Sequence, residues 1–141
     1  MTSYSYTISN ITVNSSYKLL VTDIESASEI ERSFDVFIKP DVSIESIPFS
    51  NVDDGLNFID GKVVFVLNAP GKSFVNLVGS FNNWEVDDQY LMKYDDTINR
   101  FWFVLSGVDQ SAYHSYQYLV DGSIYIADPY SPIILDSYND S

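Results

Sequence analysis

Short apolar runs, each stopped by glycine, proline or a polar turn, constrain this chain most. Val63-Val64-Phe65-Val66-Leu67 ends at Pro70-Gly71, Phe74 to Val78 ends in Gly79, and Tyr90-Leu91-Met92 begins a shorter element. Arg100 to Leu105 ends at Ser106-Gly107, Tyr113 to Val120 ends at Asp121-Gly122, and Ser123 to Ile126 returns. Runs this short, rich in β-branched and aromatic residues, read as strands, and no stretch has the spacing of an amphipathic helix. Alternation puts Phe101, Phe103 and Leu105 on one face of their strand and Trp102 and Val104 on the other. Such a series of strands without a helix predicts an all-β fold, a β-sandwich.

Residues 1–40 alternate as well. Tyr6 and Ile8, then Tyr17, Leu19 and Val21, then Phe34, Val36 and Ile38 recur with period two, separated by Asn14-Ser15-Ser16 and Glu25-Ser26-Ala27-Ser28. This predicts three antiparallel strands. They resemble the last three strands of an immunoglobulin-like domain, with Tyr17-Lys18-Leu19-Leu20-Val21-Thr22-Asp23 as the penultimate one. Such a domain takes about seven strands, so its first half is expected to lie outside this sequence. Three strands alone leave an apolar face and an edge uncovered. Residues 1–40 are therefore expected to pack on the main domain or to self-associate. Residues 41–61 read as a linker, bounded and interrupted by Pro40, Pro48 and Gly55, with Asp53-Asp54-Gly55 as a turn. Asp53, Asp54, Asn57 and Asp60 offer oxygen atoms to calcium but lack the spacing of the helix–loop–helix site. They read as solvated loop residues, and no metal is assigned.

Twenty acidic residues against seven basic ones give a net charge of −13. That leaves no basic footprint for nucleic acid and repels anionic membrane. The absence of cysteine excludes disulfides and thiolate metal sites. Thr2-Ser3-Tyr4-Ser5-Tyr6 is not a charged-then-apolar leader, and no apolar run approaches the roughly 20 residues of a membrane helix.

The stretch with most functional content is Val78-Gly79-Ser80-Phe81-Asn82-Asn83-Trp84, where an apolar strand gives way to a polar turn and then a large aromatic. Asn82 and Asn83 suit the turn. Two readings of Trp84 stand: an exposed ring that covers the apolar face of a sugar while amides bond its hydroxyls, or a core plug. Further on, a two-residue Asp121-Gly122 turn predicts Val120 opposite Ser123, Leu119 opposite Ile124, Tyr118 opposite Tyr125 and Gln117 opposite Ile126. One face would then carry Gln117, Leu119, Ile124 and Ile126, and the other Tyr116, Tyr118, Val120 and Tyr125.

Gly79-Ser80-Phe81-Asn82-Asn83-Trp84, Tyr116-Gln117-Tyr118-Leu119-Val120-Asp121-Gly122 and Ala127-Asp128-Pro129-Tyr130 together resemble carbohydrate-binding module family 48. These are the early-set immunoglobulin-like domains that precede the catalytic barrel in α-amylase-family enzymes. The resemblance covers residues 62–135, with 136–141 as the start of a link to a barrel. It implies a non-catalytic module of a starch- or glycogen-acting glycoside hydrolase that is secreted, periplasmic or at the surface of a bacterium. It also implies an α-1,4-glucan ligand and no cofactor, with Trp84, Asn82, Asn83 and Gln117 as the glycan-binding residues. Glycan-binding members have lysine where this chain has Gln117 and tryptophan where it has Ile124. The aliphatic face of Leu119, Ile124 and Ile126 is expected instead to dock on the catalytic barrel. A purely structural domain without glycan affinity is the alternative.

Catalysis finds little support in the residues. Glycoside hydrolysis needs two carboxylates facing each other across a bond, whereas Asp87-Asp88 and Asp95-Asp96 are neighbours in polar stretches. His114 is the only histidine, which excludes a paired-imidazole metal site. There is no Gly-x-Ser-x-Gly elbow and no glycine-rich phosphate loop.

Overall fold

The computed structural model describes residues 5–36, 38–109 and 111–133; the expected link at 136–141 lies outside them. Contacts divide the chain into two units, Met1–Ile38 and Lys39–Ser141.

The first unit contains one antiparallel hairpin, β1 (Ser15–Thr22) and β2 (Glu29–Val36). Asp23 closes its loop: the carboxylate accepts from the Glu25 and Ser26 amides at 2.9 and 2.8 Å. The register sets Tyr17 opposite Phe34, Leu19 opposite Arg32 and Val21 opposite Ile30, and the Tyr17 and Phe34 rings stack at 5.6 Å. The third strand expected around Tyr6 and Ile8 does not form; no strand lies in residues 5–14. Asn10, at φ 59°, breaks the extended run before it can pair.

The second unit is built from β3 (Gly55–Ile59), β4 (Lys62–Leu67), β5 (Val75–Gly79), β6 (Lys93–Asp95), β7 (Arg100–Leu105), β8 (Tyr116–Val120) and β9 (Ile124–Ile126). All pairings between these strands are antiparallel. One sheet runs β3-β4-β7-β6 and the other β5-β8-β9. Val63, Phe65, Leu67 and Phe101 from the first sheet meet Val75, Leu77, Tyr118 and Val120 from the second, with Met92 between them, in one buried cluster. The fold is therefore all-β and sandwich-like. Each large side chain buried here contributes about 1.5–3 kcal/mol of transfer free energy.

Two features of this unit differ from those the sequence suggests. Residues 41–61 are part of the sandwich, not a linker. Gly55–Ile59 forms β3, and a tight turn at Asp60 (φ 49°) and Gly61 (φ 71°) returns it into β4. Ahead of it, Glu45 N–H donates to the Tyr94 carbonyl and Tyr94 N–H to that of Ser43, both at 2.9 Å, so this segment extends the sheet beyond β6. Trp102 Nε1–H then ties to the Glu45 carbonyl at 2.8 Å. Pro40 and Pro48 do not end structure here. Both flank a short edge pairing, where a missing N–H costs no ladder bond.

The second difference is the β8–β9 register. The Asp121-Gly122 turn closes as expected, with Ser123 N–H donating to the Val120 carbonyl at 3.2 Å. Ser123 is then an extra residue, and the ladder restarts as Val120↔Ile124, Leu119↔Tyr125 and Tyr118↔Ile126. A bulge of one residue moves every following side chain to the opposite face.

Candidate functional site

The loop after β5 is held by the side chain of Asn82. Its Oδ1 accepts from Gly79 N–H at 2.8 Å, and its Nδ2 donates to the carbonyls of Leu77 at 3.2 Å and Glu85 at 3.1 Å. Those three bonds make Asn82 the clamp of the loop and occupy its amide. Trp84 N–H returns to the Gly79 carbonyl at 2.9 Å. Gly79 is required by crowding rather than by φ. A Cβ there would lie 2.5 Å from the Ser115 carbonyl oxygen and 2.7 Å from the Phe81 ring. Phe81 is the ring that turns inward, packing 5.6 Å from Tyr90 and 6.4 Å from Phe65. Asn83 and Trp84 both adopt left-handed backbone, at φ 54° and 62°. Asn83 is exposed and Trp84 is 45% exposed.

The outer face of the three-stranded sheet carries Asn76 and Val78 on β5, Gln117 and Leu119 on β8, and Tyr125 on β9. Asn76 Nδ2 reaches the Asp87 carbonyl at 3.4 Å, which draws the end of the Trp84 loop toward this face. Gln117 is half-buried, Leu119 is buried, and Tyr125 is 54% exposed.

The register overturns the docking surface assigned to Leu119, Ile124 and Ile126. Ile124 and Ile126 share the inner face with Tyr118 and Val120, and Ile126 packs against the core of the chain itself. Leu119 points the other way. The three residues form no common surface. Tyr125, expected on the opposite side, instead shares the face of Gln117. Asp-Gly marks the turn, but nothing in the sequence marks Ser123 as a bulge.

Asp128, 2% exposed, is one of two buried carboxylates among the described residues of the unit, with Asp95. It accepts from the Tyr116 hydroxyl, from the Tyr118 hydroxyl at 3.4 Å and from Tyr130 N–H at 2.9 Å. Burial pushes both phenols far above the ordinary tyrosine range, helped at Tyr116 by its bond to Asp128 and at Tyr118 by the proximity first of Tyr116 and then of Asp128, so they remain donors. Tyr130 O–H donates to Asp54 at 3.1 Å, and Arg100 grips the same carboxylate at 2.6 and 3.2 Å. The Ala127-Asp128-Pro129-Tyr130 motif thus ties β8 to the start of β3.

The remaining candidates have local partners. Asp54 belongs to Arg100, and the Asn57 amide exchanges hydrogen bonds with the Asp53 backbone at 2.8 and 2.9 Å, so neither is a free loop ligand for calcium. Asp87 caps the one-turn 3₁₀ segment Asp88–Tyr90 through the Gln89 amide at 2.8 Å. Asp95 accepts from Thr97 Oγ1 at 2.5 Å and from Ile47 N–H at 2.8 Å. His114 is exposed and lies within hydrogen-bond distance of the Asp109 carbonyl and Ser80 Oγ, at 2.8 and 3.4 Å.

No protein-family model matches the chain, and no curated protein matches it.

Proposed function

We propose that this chain is a non-catalytic module of an α-amylase-family glycoside hydrolase acting on starch- or glycogen-type α-glucans, and that it holds α-1,4-glucan weakly. The reading rests on the resemblance to carbohydrate-binding module family 48. The observation that best supports it is Trp84, half exposed and held in left-handed backbone. A bulky residue at positive φ costs about 1–3 kcal/mol, and glycine or asparagine adopts that backbone more readily. The indole offers a flat apolar surface to the C–H face of a sugar, and the Gln117 amide suits hydroxyls. Tyr125 supplies the second ring that Ile124 lacks. Strand spacing and rise set Tyr125 roughly 14 Å from Gly79, the residue that anchors Trp84. An oligosaccharide rather than a single ring fits that separation. In this reading Asn82 positions the loop, while Asn83 and Gln117 are the amides near the ligand.

Titration with maltoheptaose, followed by tryptophan fluorescence, tests the reading. The only other tryptophan, Trp102, is buried and hydrogen-bonded, so the signal belongs to Trp84. The expected dissociation constant is about 0.1–1 mM, equivalent to ~4–5 kcal/mol, with binding lost in Trp84→Ala. No saturable change up to several millimolar would overturn glycan binding and leave a purely structural domain.

A further inference from the structure

β3 is an outer strand of its sheet. Its hairpin to β4 closes at Ile59↔Lys62, and from that pair the antiparallel ladder alternates. Gly55, Asn57 and Ile59 therefore turn their N–H and C=O groups toward β4, while Leu56 and Phe58 turn theirs to the free edge. Among the described residues, no hydrogen bond reaches those four edge groups. The side chains of the same two residues lie on the inner face, across from Phe65 and Val63, yet they are 39% and 68% exposed. With Phe81, Val108, His114 and Tyr116 they line an apolar groove of about 140 Å³.

Edge strands are commonly guarded by an internal charge, a proline or a bulge; Gly55–Ile59 contains no charge and no proline, and its ladder with β4 is unbroken. The charges stand at its ends instead. Asp53 and Asp60 are exposed there, and Asp54 is already paired with Arg100. A second copy of this chain matches that edge poorly. Antiparallel pairing through Asn57 would bring the end that carries the exposed Asp53 beside Asp60 of the other copy and bring together two chains of −13 each.

We propose that the β3 edge is a strand-addition site for an extended segment of another polypeptide, one with apolar side chains at alternate positions and lysine or arginine at its ends. Its backbone would pair with Leu56 and Phe58, alternate side chains would enter the groove, and its basic ends would meet Asp53 and Asp60.

The test is amide hydrogen exchange of the whole chain. The probe is a blocked seven-residue peptide with valine at alternate positions, threonine between them and lysine at both ends. At ten times its dissociation constant, exchange at Leu56 and Phe58 is expected to slow about tenfold, while Asn57, already bonded to β4, changes little. Phe58→Lys, at an exposed position, should keep the circular dichroism of the parent and lose the effect. A peptide with a central proline should give none. Absence of slowing at several millimolar probe, equal slowing by the proline peptide, or equal slowing by a peptide ending in glutamates would each overturn the proposal. Slowing that grows with protein concentration alone would overturn it in favour of a second copy.

Discussion

Trp84 and Asp95 each make a prediction that a neighbouring residue would not. At φ 62° the usual order of alanine and glycine should reverse. Trp84→Gly is expected to be more stable than Trp84→Ala by about 0.5–1 kcal/mol, because glycine adopts this backbone without a Cβ penalty. Both variants should lose glucan binding. Urea midpoints of the two proteins check the order, and alanine ahead of glycine would remove strain from the account of Trp84. Asp95 predicts a pH dependence. The Thr97 hydroxyl, then the Ile47 amide, holds its carboxyl below the usual aspartate range. A depressed folded-state pKa stabilises the fold fully above the unfolded value of about 3.9. That contribution fades as pH falls below this value and is gone once pH passes the folded-state pKa. Asp95→Asn should therefore destabilise the protein near neutral pH and flatten its loss of stability between about pH 5 and pH 2, read as denaturant midpoints across that window. An unchanged slope would mean that other carboxylates carry the acid response.

The β8–β9 hairpin shows at the level of elements why one residue decides which side chains can meet a ligand. Deleting Ser123 leaves Asp121-Gly122 as a two-residue loop between Val120 and Ile124, which already pair. The deletion is expected to change stability by less than about 1 kcal/mol, to preserve the cross-strand Leu119–Tyr125 contact in nuclear Overhauser spectra, and to leave maltoheptaose affinity unchanged. A parent protein that shows a Leu119–Ile124 contact instead, with Leu119–Tyr125 appearing only after the deletion, would mean that Ser123 is a ladder residue, with Ile124 rather than Tyr125 on the Gln117 face. Most strands of the sandwich were legible because Val63–Leu67, Phe74–Val78 and Arg100–Leu105 are dense in β-branched and aromatic residues between clear turn signals. The bulge was not, since serine carries no signature for it. The edge segment at Ser43 and Glu45 was hidden between two prolines, and its pairing with Tyr94 is a contact across 49 or more residues that local pattern does not encode. Of the candidate site, the polar turn at Asn82-Asn83 could be read directly, whereas residue type left Trp84 open between an exposed ring and a core plug. That the Asn82 amide closes the loop, and that Tyr125 lies beside Gln117, depended on backbone geometry invisible in residue type.

At the scale of the whole molecule the two units differ in what holds them. Lys39–Ser141 has a core of its own, whereas no described residue of Met1–Ile38 is buried. A chain of residues 39–141 is therefore expected to melt within about 4 °C of the full chain and to bind maltoheptaose equally well. The hairpin carries Tyr17, Leu19, Val21, Ile30 and Phe34 on one face, most of them exposed, and a two-stranded sheet with such a face is marginal in water. Self-association through residues 1–40 follows as a proposal, opposed by the charge of −13. The Debye length shrinks from about 30 Å at 0.01 M salt to about 3 Å at 1 M, so screening should let the apolar faces meet. Sedimentation of the full chain is expected to show association that strengthens across that range, while residues 39–141 stay monomeric and Val21→Glu in the full chain abolishes it. A full chain monomeric at every salt concentration would sink the self-association, and association of 39–141 alone would move it from the hairpin to the sandwich.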